Sequence, residues 1–317
     1  MLGVVIVNYK TIDETVSYIT QELVAIRTPY KVVVVDVACE NTDHARAIAE
    51  RCGGQFLENG NTLPSCDKKV YVLPHSENLG YAKGNNLGAQ ILSKHFSLEF
   101  FLFTNNDLRF ADSDVADRLM EEARQYENLG AIGPRVLDLD GNDQSPMKYR
   151  NIWRRIIIPY SLYPFLYLFF QRGLFSDLIK DAPFGVYYRL MGCFLIVRAD
   201  VFMAVDGFDE GTFLYAEEMI LSERMDSIGK KMYFNPAVGV IHAHRQVTGR
   251  SLSNLKAMQL RLQSELYFYK KYKGISRFEG ICSWCAMFLY SKCYYPMLRA
   301  AKVWIERRDN AERSNSQ

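Results

Sequence analysis

Short apolar runs separated by helical stretches constrain this chain more than any other feature. Residues 2–7, 32–35, 70–73 and 100–103 are almost unbroken runs of Val, Ile, Leu, Phe and Tyr. Between them, residues 13–27, 43–51 and 84–92 carry the polar-punctuated spacing of helices. A strand without alternation is covered on both faces, and such strands joined by helices make a mostly parallel sheet. The expected fold class is therefore α/β: a Rossmann-like, mostly parallel sheet flanked by helices. In such sheets a ligand lies at the carboxyl ends of the strands.

Three of those ends are polar: Asn8-Tyr9 after the first run, Asp36 after the second, and Asn105-Asn106-Asp107 after the fourth. A carboxylate at such an edge can hold Mg²⁺ or Mn²⁺ and leave positions for water and diphosphate. Asn-Asn-Asp is also good turn chemistry, and both readings stand. Glu217 and Glu218 precede a helical pattern, where the helix dipole tolerates negative charge. Adjacent carboxylates point in different directions, so one can serve as a general base while the other caps or pairs. The alternative is a pair of ordinary first-turn acids with Arg224 as partner. His242 and His244 end a strand-like run and share a side if the chain stays extended. Either one joins Asp107 on a hard cation, contacts phosphate, or is structural.

Charge and cysteine usage narrow the classes. Lys and Arg total 38 against 36 Asp and Glu, so no overall field exists to hold a nucleic acid. Seven cysteines and a start, MLGVVIVNYK, that reads as a strand and not as a leader fit a reducing cytoplasmic location. Cys282 and Cys285 form a C-x-x-C inside an apolar helical run and read as packing residues. Residues 148–190 look like an insertion, opening with Lys148, Arg150, Arg154 and Arg155 and followed by an aromatic stretch too short to span a bilayer. Residues 280–302 are similarly apolar and aromatic. Both suit an interfacial segment near anionic lipid, with a core-covering role as the alternative for the first. The expected division is 1–250 for the α/β domain and 251–317 for a helical, membrane-associated region.

Seven segments in order carry a resemblance: VVIVNYK (4–10), VVVVDVACENTD (32–43), NLGYAKGNNLGA (78–89), FLFTNNDLRF (101–110), GAIGPRV (130–136), MGCFLIVRADVF (191–202) and GFDEGTFLYAEEMILSER (207–224). Over residues 2–250 the chain resembles the family 2 glycosyltransferases of GT-A fold, in the bacterial branch that builds capsule, O-antigen or exopolysaccharide, and it is rhamnosyltransferase-like. The resemblance implies an inverting, metal-dependent transfer from a nucleotide-diphospho-sugar to a saccharide, lipid-linked or free, at the inner face of the cell membrane. It implies that Asn8 and Tyr9 flank the nucleotide, that Asp36 contacts the base, and that Asn78, Gly80 and Asn86 line the nucleotide and sugar pocket. Asn105-Asn106-Asp107 stands at the D-x-D position, with Asp107 the main ligand of Mg²⁺ or Mn²⁺. Gly192 runs beside the donor sugar, Glu218 is the catalytic base beside Glu217, and His242 is the second metal ligand.

This sequence departs from the family pattern at three places: Glu for Asp at 218, Ile220 for a later Asp, and Val37 for the Asn expected after Asp36. Two other classes fit an α/β sheet with acidic strand ends. A nucleotidyltransferase would carry a Gly- and base-rich phosphate loop near the start, which VNYKTIDET is not. A sugar-nucleotide- or polysaccharide-binding relative without turnover would show no donor hydrolysis.

Overall fold

A computed structural model describes residues 1–39, 41–58, 65–162, 177–243, 254–297 and 300. His244, much of the aromatic stretch after residue 162 and the end of the 280–302 segment lie outside the described residues. The chain forms two compact units, Met1–Tyr149 with Leu178–Ser251, and Arg150–Asp177 with Leu252–Gln317.

In the first unit the apolar runs become strands. β1 (Leu2–Asn8), β2 (Tyr30–Val37), β3 (Gln55–Phe56), β4 (Val70–His75) and β5 (Phe100–Thr104) are all parallel. β1, β2 and β5 are buried along almost their whole length, as covering on both faces demands. The helix Gly80–His95 covers one face with Ala82, Ala89, Ile91 and Leu92. The expected helix after β1 begins at Ile12 and widens into a π turn at Tyr18–Glu22.

Beyond β5 the sheet is mixed. β6 (Leu108–Phe110), β7 (Leu129–Leu137), β8 (Gly185–Val186), β9 (Phe194–Arg198) and β10 (Lys231–His242) complete it. The order is β3-β4-β2-β1-β5-β9-β7-β10-β6, with β8 on β10. β9 enters between β5 and β7 antiparallel to both, so Gly192-Cys193 at its start lie beside the carboxyl end of β5. β10 runs antiparallel to β6, with His242 opposite Leu108. Phe103, Phe202 and Phe208 pack with ring centroids 4.7 to 5.3 Å apart, which seats the loop before Glu217 against β5.

The second unit contains the helices Asn254–Lys273 and Arg277–Phe288. Its interior holds an ionic network beside the buried Ile152, Ile156, Leu262 and Phe268. Arg155, 8% exposed, pairs with Asp177 and with Glu265, and Arg150 pairs with Asp177 at 2.6 Å. Arg261 also reaches Glu265, at 2.9 Å. By contacts, residues 150–177 cluster with the C-terminal part, and Leu178 onward belongs to the sheet unit. Arg150 and Arg155, basic residues of the segment for which both a lipid-facing and a core-covering role were expected, pair with buried carboxylates.

The helix Arg277–Phe288 is inverted. Ser283 and Ala286 are buried, whereas Phe278, Ile281, Trp284 and Phe288 are 55–65% exposed. Cys285 is exposed and Cys282 half-buried, so the C-x-x-C does not pack a core. Among the described residues no helix is long and apolar enough to cross a membrane.

Burial pushes the Glu265 carboxyl up, but Arg261 and Arg155 outweigh it and hold it at about 2. A depressed carboxyl stabilises the fold above its unfolded value and loses that contribution as pH falls through the folded one. Melting of the wild type should therefore weaken from the ordinary carboxylate range down to about 2. Glu265→Ala removes the carboxylate shared by the buried Arg155 and the half-exposed Arg261, leaving Arg155 with Asp177 alone, and should cost about 3 kcal/mol at neutral pH, the lower end for a broken buried pair. Denaturant titration of the variant measures it, and a loss below 1 kcal/mol (about the worth of an exposed pair) would refute the buried network.

Candidate active site

The strand register places Asn8 beside Asp36. Asn8 is fully buried and its amide donates to Asp36 Oδ1 at 2.6 Å. Its Oδ1 accepts from Thr11 at 2.6 Å and Thr15 at 2.8 Å. Asn106 Nδ2 donates into the same cluster, 3.0 Å from Asn8 Oδ1 and 2.6 Å from Thr15 Oγ1. Asp36 Oδ2 accepts from the Cys39 thiol at 2.9 Å. Burial first, and then Asp36, pushes that thiol up to about 12, which keeps it a donor. Asn8, Asp36 and Asn106 thus form the floor of the strand-end site. Tyr9 and Asn105 are half-exposed above it.

Asn78 accepts from the Gly80 N–H at 3.1 Å and starts the helix Gly80–His95. Gly80 has φ +69°, and a Cβ there would lie 2.1 Å from the Phe213 carbonyl oxygen. Asn86 faces the same loop. Its amide donates to Phe208 O at 2.9 Å and accepts from Phe208 N at 2.9 Å. The structure therefore places Asn86 as a tie between the helix and the 207–210 loop, with 8% exposure, and leaves Asn78 exposed at the rim.

Asp107 and His242 come together because β6 pairs with β10. Nε2 of His242 lies 3.4 Å from Asp107 Oδ1, and the two side chains are 3% and 9% exposed. Gln144 Oε1 lies 3.0 Å from Nδ1. With that oxygen accepting, Nδ1 carries the proton and Nε2 turns its lone pair to the carboxylate. A proton on Nε2 or a cation held by both atoms satisfies this contact. The spacing is near the ~3 Å between neighbouring ligands of an octahedral ion with ~2.1 Å bonds. The pair therefore fits a divalent cation. Among the described residues no cluster of three or more His, Cys, Asp or Glu side chains suits a metal, so its other ligands would be water or substrate oxygens.

Glu217 and Glu218 open the helix Glu217–Ser227. Tyr215 and Ala216 before them have φ 74° and 70°. Left-handed backbone costs a non-glycine residue roughly 1–2 kcal/mol, so the turn that aims the two carboxylates is held under strain. Glu218 is half-buried and accepts from the Gly192 N–H at 3.0 Å. Glu217 is 3% exposed. Burial, and then the charge of Glu218, pushes its carboxyl up to about 8. At neutral pH Glu217 therefore favours its protonated form.

The structure adds Tyr81, Gln144, Thr11 and Thr15 to the residues expected above. Tyr81 sits inside a quoted motif beside Gly80, so its position was visible; Gln144 had no sequence signal.

No protein-family model matches the chain. Over 194 residues it is 28% identical to the N-acetylglucosaminyl-diphospho-decaprenol L-rhamnosyltransferase of Mycobacterium tuberculosis, covering 57% of this chain and 61% of that protein. It is 34% identical over 116 residues to the rhamnosyltransferase WbbL of Escherichia coli, covering 36% of this chain and 40% of that one. The chain thus spans less than two thirds of the length of either relative. Among solved structures, GalNAc-T7 with UDP, GalNAc and Mn²⁺ matches 94% of this chain and 57% of its own, at TM-score 0.56 and 14% identity. The fold is that of the GT-A glycosyltransferases. In sequence the chain is similar to bacterial rhamnosyltransferases.

A carboxyl raised in the fold contributes stability that is complete below its unfolded pKa and lost as pH rises through the folded one. Melting temperature should therefore fall between the ordinary carboxylate range and about 8. Glu217→Gln, neutral throughout, should remove that part of the slope. Melting curves of the two proteins that stay parallel over this window would show that Glu217 is ionised at neutral pH.

Proposed function

We propose that this chain is an inverting, metal-dependent glycosyltransferase that moves a sugar from a nucleotide-diphospho-sugar to a hydroxyl of a lipid-linked saccharide. One observation carries the reading: Gly192-Cys193 joins the acidic loop to the second carboxylate. Cys193 O accepts from Asn105 N at 2.9 Å, and Gly192 N donates to Glu218 at 3.0 Å. Burial, then the charges of Asp107 and Glu218, raises the Cys193 thiol well above its ordinary range, so both carboxylates act on one buried point. A cation site and a general base tied to adjacent residues at the start of one strand suit displacement at an anomeric carbon.

Asp107 and His242 would hold Mg²⁺ or Mn²⁺, which when bound neutralises the departing diphosphate. Glu218 takes the proton of the acceptor hydroxyl as its oxygen attacks the anomeric carbon. The bond from that carbon to the diphosphate oxygen breaks, and a single displacement inverts the centre. Tyr9 and Asn78 would flank the donor nucleotide. The names of the two relatives support a rhamnosyl-type donor, and that of the mycobacterial protein a polyprenyl-diphosphate-linked acceptor.

Peripheral contact with the inner face of the membrane belongs to the same reading. It is supported by the outward Ile281, Trp284 and Phe288, which line a groove of about 970 Å³ together with Lys270 and Arg277 and no carboxylate. An apolar face rimmed by cations suits anionic lipid.

Thermal stabilisation by UDP, GDP and dTDP, each with and without Mn²⁺, tests the site. A ligand at one hundred times its dissociation constant adds about 2.7 kcal/mol. One nucleotide should stabilise only with the metal, and Asp107→Ala should abolish the shift. Glu218→Gln should keep the shift and lose roughly 10²–10⁴ in turnover. Normal turnover by that variant would remove Glu218 from the mechanism. For the membrane, Ile281→Asp combined with Trp284→Asp should release the protein from vesicles rich in phosphatidylglycerol. Equal sedimentation of variant and wild type would place the contact elsewhere or deny it.

A further inference from the structure

Glu218 reaches farther than the Asp that the family pattern sets at its position, and the surrounding backbone has room for it. Its Oε1 lies where residue 192 would carry a side chain: a Cβ there would be 2.4 Å from that oxygen and 3.0 Å from both the carboxyl carbon and Cγ. Contacts that short do not occur in real structures, so the glutamate occupies the space left by the glycine. The Gly192 N–H donates to Oε1 at 3.0 Å. Among the described residues it is the only hydrogen bond to this carboxylate, which leaves Oε2 open.

The other end of the same residue is also held. Tyr81 OH donates to the Gly192 carbonyl at 2.7 Å. Burial, then the charges of Glu218 and Glu217, keeps the Tyr81 hydroxyl well above its ordinary range, so it remains a donor. Tyr81 is itself fixed, with its N–H donating to Phe213 O at 2.9 Å and its ring edge-on to Phe208 at 5.4 Å. A neutral donor holds the carbonyl side of Gly192, and the N–H side of the same residue holds the carboxylate.

We infer that Gly192 and Tyr81 are positioning residues for Glu218, with the absent side chain of Gly192 making room for a glutamate and its N–H aiming the carboxylate at the acceptor hydroxyl. This rests on the reading of Glu218 as the base. It assigns Gly192 a task on the acceptor side of the reaction, different from the donor-sugar contact that the family resemblance implies. Misplacement of a reacting group by about 1 Å can cost on the order of 10²-fold in rate.

The test uses the full-length chain in a transfer assay, with nucleotide-dependent thermal shift as a control on the donor site. Gly192→Ala should lower kcat about 10²-fold with donor KM and the Mn²⁺-dependent nucleotide shift unchanged. Glu218→Asp withdraws the carboxylate from the new methyl group, so adding it to Gly192→Ala should restore part of kcat, where independent effects would multiply. Tyr81→Phe should lower kcat about 2- to 10-fold, the range expected for one lost hydrogen bond, and leave the residual rate of Glu218→Gln unchanged. If Gly192→Ala does not fold, the double variant should fold, because the clash has gone; failure of both to fold overturns the inference. So does a loss confined to donor KM or nucleotide affinity, or an unchanged kcat. Full activity of Glu218→Gln would instead overturn the reading of the base, whatever Gly192→Ala does.

Discussion

The amide of Asn8, fully buried at the carboxyl end of β1, is where four segments are fastened to one another. It donates to Asp36 at the end of β2 and accepts from Thr11 and Thr15 of the following helix and from Asn106 after β5. A buried donor or acceptor left without its partner costs about 1–3 kcal/mol, so the cluster tolerates little displacement. A one-residue slip of β1 against β2 would reverse every buried side chain and orphan this amide at the same time. The place of Asp107 follows from that fixity, because its neighbour Asn106 is held in the cluster.

Much of this could be read in the sequence, and the remainder has physical reasons for being hidden. The runs around Val4, Val33, Val72 and Leu102 announce buried strands, and their polar ends announce the edge that carries the site. The direction of β9 could not be read, since FLIVR is equally apolar in either orientation. The family resemblance implies that Asn86 lines the pocket. Only the loop brought against it by Phe208 shows that its amide is occupied by backbone. Arg150 and Arg155 left two readings open: basic residues beside an aromatic stretch suggest lipid, and their carboxylate partners are distant in sequence. Gln144 sits in an ordinary polar loop and acquires meaning only from the histidine it orients.

The carboxylate pair illustrates how one site obtains two different groups from identical side chains. Glu217 turns into the interior and keeps its proton, while Glu218 turns toward the Gly192 peptide and accepts a hydrogen bond. Two successive left-handed residues, Tyr215 and Ala216, set that divergence. The cost of the strained turn is met by the packing around it: Phe208 within the aromatic cluster, Tyr81 on Phe213 and Asn86 on Phe208. Local strain of this kind persists only where the surroundings over-determine it.

The pairing of β6 with β10 has a consequence for the order of events in the life of the chain. Asp107 follows β5 in the first half of the sheet unit, whereas His242 ends the last strand to be laid down. Neither is half of a local motif, so a nascent chain still lacking β10 has one ligand and no clasp. A cation bound by both would act as a cross-link between early and late segments, favouring the closed sheet over every form in which β10 is detached. Metal loading would then add to the pairing of β10 with the edge strand β6, on a strand that already pairs with β7 from Lys231 to Ile241.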